Sequence, residues 1–245
     1  MFAFRWLVLS TVFFLCLGCT RQESNFVSIG RDPTWYPFDL GPATININAF
    51  TNALIQAINK AEHLHLHVVE EDWEDLTVHL EQRILAGILT AVPPLPIYEE
   101  RYDFSNPFLL LGPVLVVPAD SNATSLIDLK GKIIGVSQFN EDDLIVQKDP
   151  SIIIQYYQNI PQALEILASG NIDGLLIATL EAHALVPHLY PSILKIVTGP
   201  LNDKGLRLLT LKDAQPKLLN QFNKGLEQTQ KSGLYNELRT NFGVY

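Results

Sequence analysis

The run IPQALEILASGNIDGLLIA, Ile160–Ala178, decides the class of fold. It reads as a helix closed by Gly170, the residue type that most readily ends a helix in a left-handed conformation, followed at once by a buried strand. Upstream, TSLIDLKGKIIGVS (Thr124–Ser137) reads as a short helix, a glycine turn and a strand, and GPVLVVPA (Gly112–Ala119) reads as another strand. Downstream, PSILKIVT (Pro191–Thr198) is strand-like after its proline. The stretch Asp213–Gly243 reads as two helices split at Ser232-Gly233.

The N-terminal half repeats the alternation. FVSIG (Phe26–Gly30) is strand-like, and RDPTWYPFDLGP (Arg31–Pro42) is rich in turn residues. In NAFTNALIQAINKA, residues Phe50, Ala53/Leu54, Ala57/Ile58 and Ala61 fall on one helical stripe. LHLHVV (Leu64–Val69) alternates like a strand. DWEDLTVHLEQRI (Asp72–Ile84) reads as a helix with Asp72 as N-cap and acids in its first turn, where the dipole favours them. AGILTAV (Ala86–Val92) is an apolar run of buried-strand type. Strands alternating with helices predict an α/β fold with mostly parallel sheets.

The chain has 245 residues, 47% hydrophobic and 18% charged, which suits a globular protein with a substantial core. A formal net charge of −9 argues against non-specific nucleic-acid binding, which needs a basic footprint. It also supplies no polybasic patch for an anionic membrane.

The first residues differ from the rest. MFAFRWLVLSTVFFLCLGC has one basic residue, Arg5, then an apolar run from Trp6 to Leu17, short of the about 20 residues a transmembrane helix needs. It reads as a secretory signal over residues 1–19. LCLGC resembles a bacterial lipobox, which makes Cys19 the expected lipidation site, although Cys16 stands where that motif usually has Leu. An ordinary cleaved signal and an uncleaved anchor are the alternatives. Both cysteines of the chain lie in this segment, so the body has neither a disulfide framework nor a cysteine nucleophile. Residues 20–25 read as a polar tether. The part after the signal, about 227 residues long, allows two lobes of roughly 110 residues each.

Seven pieces in order carry a family resemblance: IGRDPTWYPF, DWEDL, YDFSNPF, GPVLVV, SLIDLKGKIIGV, ALEILASGNIDGLLI and SGLYNELRTNFG. Together they resemble the bacterial extracellular solute-binding proteins of family 3, which serve polar amino-acid ABC transporters. The resemblance implies a two-lobed periplasmic-binding-protein clamshell of type II, crossed twice by the chain, with a small ligand trapped by hinge closure. It places one lobe at 26–110 plus 201–245 and the other at 111–200.

The same resemblance implies a site. Two aromatic rings sandwich the ligand in this family, and their positions fall on Trp35, with Asp32 retained, and on Trp73. Tryptophan suits an apolar body or a cation; packing in core or rim is the plainer reading of each ring taken alone. With YDFSNPF fixing the register, the family's TITPER falls on PPLPIY. The threonines that hold an α-carboxylate fall on Pro93 and Leu95, and the clamping arginine falls on Tyr98. An arginine-to-tyrosine exchange removes a planar fork of donors and leaves one hydroxyl. A backbone amide, Arg31 or Arg101 are the possible substitutes. In the second lobe the carboxylate contact reads Phe139-Asn140-Glu141, and the amine-binding aspartate is replaced by Ala178. The expected ligand set is therefore Asp32, Trp35, Trp73, Leu95, Tyr98, Gln138 and Asn140. The departures suggest a solute without a free α-carboxylate, such as an amine, an amide or a capped peptide.

Other constellations are weaker. His63, His65 and His67 recur at period two and fall on one face of a strand, where they are candidate Zn²⁺ or Ni²⁺ ligands or simply an exposed polar face. There is no Gly-x-Ser-x-Gly elbow, P-loop or GxGxxG, so neither an enzyme nor a cofactor is expected. The sequence thus points to a monomeric lipoprotein of the periplasm or cell envelope. It would bind an amino acid or related small polar solute, hand it to an ABC permease, and touch the membrane through its lipid. A solute-binding fold with a decayed or repurposed site, including metal capture or a scaffold role, is the alternative.

Overall fold

The computed structural model describes residues 26–36, 40–138 and 142–245. The signal, Cys16, Cys19, the tether and Asn140 lie outside the described residues. In chain order the strands are β1 (Val27–Arg31), β2 (Leu66–Glu70), β3 (Gly87–Thr90), β4 (Tyr102–Phe104), β5 (Leu109–Leu110), β6 (Pro113–Pro118), β7 (Ile133–Ser137), β8 (Ile153–Tyr157), β9 (Gly174–Ala178), β10 (Leu194–Ile196) and β11 (Gly205–Leu211). The helices are α1 (Thr44–Glu62), α2 (Trp73–Glu81), α3 (Pro96–Glu99), α4 (Asp143–Val146), α5 (Ile160–Ala168), α6 (Thr179–Leu189), α7 (Pro216–Lys231) and α8 (Leu234–Phe242). No helix among the described residues is long and apolar enough to cross a membrane.

Two sheets result. The first runs β2-β1-β3-β11-β4, with β5 paired to β11, and the second runs β10-β6-β9-β7-β8. Both are more mixed than the alternation of strands and helices suggests. In the first sheet β1 is parallel to β2 and β3, whereas β11 runs antiparallel to β3, β4 and β5. In the second, β7 is parallel to β8 and β9, whereas β6 runs antiparallel to β9 and β10. The physical reason is the double crossing. β11 returns to the first sheet only after the whole second sheet has been built, and it enters from the end at which the chain left.

Each sheet is covered on both faces. In the first, Ile29, Leu89, Leu206 and Leu208 meet Phe50, Leu54 and Ile58 of α1 and Phe222 and Leu226 of α7. On its other face Ile88 and Leu209 meet Leu76 and Leu80 of α2. The alternation of 206 and 208 against 209 is the period of two that sends neighbouring side chains to opposite faces. The second sheet shows the same split, with Val114, Val116, Leu175 and Ile177 toward α5 and α6 and Leu115, Val117 and Leu176 opposite.

The crossing strands run close together. At Gly205, a Cβ would collide with the carbonyl oxygen of Leu109. Thr179, the first residue of α6, donates from both its amide (3.2 Å) and its hydroxyl (2.7 Å) to the carbonyl of Gly112. These bonds tie the start of α6 to the first crossing.

Candidate functional site

β1 ends at Arg31, and the chain turns sharply where the first-lobe site residues begin. Asp32 is buried, and its carboxylate organises the turn. Oδ1 accepts from the amide of Thr34 at 2.8 Å and from its hydroxyl at 2.6 Å. Oδ2 accepts from the amide of Trp73, the first residue of α2, at 3.0 Å. Asp72 occupies the N-cap position, as its sequence context predicts, but its side chain makes no capping bond. The cap is tertiary: Asp32 supplies from β1 what the adjacent aspartate does not.

The aromatic sandwich differs from expectation. Trp35 is 1% exposed and belongs to the first-lobe core, with its ring 6.3 Å from that of Phe108. Its indole Nε1–H donates to Oδ1 of Asn48 on α1 at 2.6 Å, and the Arg31 guanidinium lies 5.8 Å from its ring centroid. Asn48 in turn donates to the carbonyl of Pro33 at 3.0 Å, so one side chain of α1 pins both ends of the turn. With its indole N–H bonded and almost no surface left open, Trp35 is a packing residue here. The next residue takes the outward place. Tyr36 is 57% exposed, and its ring lies 6.5 Å from that of the half-buried Trp73, tilted by 53°. The aromatic pair that reaches the surface is thus Tyr36, exposed, and Trp73, half-buried. Trp35 itself sits at φ 65°, a left-handed backbone conformation uncommon for a bulky residue. That conformation separates the directions of residues 35 and 36.

The proline-rich wall follows β3. Thr90 and Val92 are joined by a bond from the Val92 amide to the Thr90 hydroxyl oxygen at 3.1 Å. The chain then turns through Pro93 into α3. Leu95, Ile97 and Tyr98 are all exposed on and beside this helix. Tyr98 therefore stands open at the position where the family resemblance implies an arginine. The proposed substitutes are otherwise engaged. Arg31 is buried and bonded to the Asn48 carbonyl (3.3 Å), Asn52 Oδ1 (2.9 Å) and Glu70. Arg101 donates to Glu81 at 2.7 Å and lies against Tyr102.

In the second lobe, Gln138 is exposed just after β7. Its amide donates to the Tyr157 carbonyl at 3.0 Å, and its side-chain oxygen accepts from Gln158 at 2.7 Å. Ala178 ends β9 and stands at the N-cap position of α6 without a side-chain cap. Tyr157 donates to the carbonyl of Leu176 at 2.7 Å, and burial drives its phenol well above the usual tyrosine range. The three histidines do not share a strand face: His63 is the left-handed C-cap of α1 and only His67 lies in β2, at the edge of the first sheet, where His65 and His67 contact the ring of Phe26 edge-on at 6.2 and 6.4 Å. Among the described residues no group of three or more His, Cys, Asp or Glu is placed to hold a metal.

Sequence reading singled out neither the exposed Tyr36 nor the buried Arg207. Tyr36 follows a tryptophan that resembles the family's ring position, and only the positive φ of Trp35 shows which of the two points outward. Arg207 is the single charge in the otherwise apolar-and-threonine strand GLRLLTL, and that oddity was the available signal.

The match to known proteins is consistent along the chain. The model of the bacterial extracellular solute-binding proteins, family 3, matches residues 27–244. The chain belongs to that family. The L-cystine-binding protein TcyJ of Escherichia coli K12 is 23% identical over 215 residues, covering 86% of this chain and 80% of that protein. The arginine-binding extracellular protein ArtP of Bacillus subtilis is 27% identical over 141 residues, covering 54% of this chain and 55% of that protein. Among solved structures, the L-cystine solute receptor of Neisseria gonorrhoeae in its unliganded open conformation superposes with a TM-score of 0.63 at 19% identity, covering 89% of this chain and 92% of that one. Substrate-binding domain 2 of Lactococcus lactis GlnP, also open, gives 0.61 at 17% identity, covering 91% and 96%. The family 3 solute-binding protein therefore has the type II two-lobed α/β fold, and its family serves transport and not catalysis.

Proposed function

We propose that this family 3 protein is the substrate-binding subunit of an ABC importer. It captures an amino acid or related small polar solute between lobes formed by residues 26–110 plus 201–245 and by residues 111–200, and delivers it to a membrane permease. The observation that carries the reading is the Tyr36–Trp73 pair, an exposed ring in the turn after β1 and a half-buried ring at the N-terminus of α2, 6.5 Å apart. Ligands of open α/β sheets bind outside the carboxyl ends of strands. Flat rings there offer a surface for an apolar body or a cation. On closure, Leu95 and Tyr98 contribute from the first lobe, and Gln138 and Asn140 from the second. Asp32 acts through the turn and helix that it holds together.

The relatives support an amino acid as the solute class, since one is named for L-cystine and another for arginine. Attachment through a lipid on Cys19 completes the proposal, with the protein held at the outer face of a membrane as a monomer. Titration calorimetry with amino acids, L-cystine included, tests it. Saturable binding that Trp73→Ala weakens supports the reading, and absence of binding to any amino acid, amine or short peptide counts against it. Lipidation is read separately, by mass spectrometry of the membrane fraction from cells expressing wild type and Cys19→Ala.

A further inference from the structure

Helix α6 belongs to two cores at once. Ala182 and Val186 are buried against the second sheet, with Leu185 beside them. Leu180 instead packs on the cluster built around the first sheet. Residues three or four apart share a helix face, so 182 and 186 look one way and 180 and 183 another. The helix starts at the first crossing, where Thr179 bonds to the Gly112 carbonyl. One turn further on, His183 lies flat against Tyr245, with ring centroids 4.8 Å apart and planes at 15°. That stack joins a helix of the second sheet to the segment that follows α8 on the first.

Tyr245 is held from the first lobe. Its neighbour Val244 is buried in the first-sheet cluster. The Val244 amide donates to the Arg239 carbonyl at 2.9 Å, and the Val244 carbonyl accepts from Nε of Arg239 at 3.2 Å. The Arg239 guanidinium lies 5.9 Å from the ring centroid of Tyr235, whose hydroxyl donates to the Phe108 carbonyl at 2.9 Å. Phe108 directly precedes β5 and the first crossing. Tyr245 itself stays half exposed, so its ring leans on α6 from outside and fills no core.

The candidate site residues of the two lobes stand apart in the same structure. Tyr36, Leu95 and Tyr98 are exposed on the first lobe. Gln138 is exposed on the second and turns its side chain to Gln158 of its own lobe. Capture between the lobes therefore requires them to rotate about the crossings. In such a rotation α6 travels with the second sheet and Tyr245 with the first. His183 stands one turn, about 5.4 Å of helix, beyond the anchored start of α6. Paired rings interact at centroid separations of about 4.5–7 Å, so a displacement of a few ångströms ends the stack.

We propose that the His183–Tyr245 stack is an interlobe latch: it holds the lobes at the angle of this structure, and rotation on solute capture breaks it. The inference rests on the two-lobe transport reading above. A contact made only while the lobes stand apart must be given up on closing. It lowers the population of the closed form and so lowers the apparent affinity below the intrinsic affinity of that form. The latch thus sets affinity from a position that touches no solute.

Calorimetry on the full chain, with amino acids including L-cystine as probes, compares wild type with His183→Ala, Tyr245→Ala, His183→Phe and Tyr245→Phe. The alanine variants are expected to bind the same amino acid about threefold to tenfold more tightly, and the phenylalanine variants, which keep two stacked rings, to match wild type. Damage to the fold weakens binding, so a tighter complex separates a latch from a mere packing contact. Unchanged or lowered affinity in either alanine variant, with its circular dichroism unaltered, overturns the inference. If an alanine variant does not fold, NMR of wild type decides. The ring-current shift of the His183 imidazole protons is expected to vanish as the amino acid saturates the protein, and a shift that survives saturation overturns the latch. If no amino acid binds wild type, the transport reading fails, and small-angle X-ray scattering tests the latch by itself. A radius of gyration that changes in Tyr245→Ala and not in Tyr245→Phe keeps it, and identical curves remove it.

Discussion

The amide of Trp73 donates to Oδ2 of Asp32 at 3.0 Å, across 41 positions of sequence. This bond caps α2 from the end of β1 and fixes the height at which the Trp73 ring leaves the helix. The other oxygen of the same carboxylate holds the turn that carries Tyr36. One buried carboxylate therefore sets both rings of the aromatic pair. Replacing it with alanine removes the acceptor of the Thr34 and Trp73 amides, a lost cap that costs about 0.5–2 kcal/mol. Asp32→Ala is expected to lower urea stability by that amount and to weaken solute binding together with it, measured by equilibrium unfolding and calorimetry. A variant that loses binding at unchanged stability would instead show the carboxylate touching solute directly.

The two tryptophans separate by what their loss does. Trp35→Ala empties a core site and is expected to cost about 3–5 kcal/mol, read as a lower Tm. Trp73→Ala and Tyr36→Ala remove exposed ring surface and are expected to weaken binding by roughly tenfold, within the about 0.5–1.5 kcal/mol that an aromatic contact supplies. A stable Trp35→Ala protein with abolished binding would return that residue to the clamp.

Tyr98 is open on α3, and its position tolerates a longer polar side chain. Tyr98→Arg is expected to change stability by less than about 0.5 kcal/mol, as exposed substitutions do. It is also expected to tighten binding of free amino acids by about tenfold, equivalent to about 1.4 kcal/mol. Unchanged affinity for acid and amide alike would show that this wall does not face the solute carboxylate.

His183 of α6 stacks on Tyr245 beyond α8, with ring centroids 4.8 Å apart and planes at 15°. Burial first, and then the positive charge of Arg239, hold its imidazole below the usual histidine range. A depressed folded value means that the unfolded chain takes up the proton first as pH falls. The stability contribution is therefore complete above the unfolded value of about 6.5 and is lost as pH drops from there toward the folded value. Melting curves from pH 7.5 to 5 should fall more steeply for wild type than for His183→Gln. Parallel curves would show that the stack does not sense the proton.

Gly205 admits the close approach of β11 to β5, and any Cβ there meets the Leu109 carbonyl oxygen. Gly205→Ala is expected to destabilise by about 1–3 kcal/mol through forced backbone displacement. Gly170→Ala gives a contrast, because nothing lies within 4 Å of its Cβ position and only the φ of 75° opposes the substitution. Equal losses in the two variants would mean that crowding at the crossing contributes nothing beyond ordinary strain.

Local pattern made much of the fold readable. The stripe of α1, the glycine closing α5 and the break at Ser232-Gly233 are short-range signals, and helices with one apolar face and strands with two have few ways to pack. The helix beginning at Trp73 was legible for the same reason. Its cap was not, since two aspartates offer the same chemistry and only the approach of β1 to α2 selects Asp32. Likewise, neighbouring aromatic residues in a turn look alike in sequence. The left-handed backbone of Trp35, held by Asn48 from α1, decides that Trp35 goes in and Tyr36 comes out.

By itself, then, the sequence determined an α/β chain and its family, because each depends on residue type and spacing along the chain. Tertiary structure alone decided the antiparallel return of β11 and which ring of the turn is exposed. Those outcomes depend on which distant segments share a sheet face. Thr90 and Arg207 are far apart in the chain and become neighbours only when the second crossing brings β11 back beside β3.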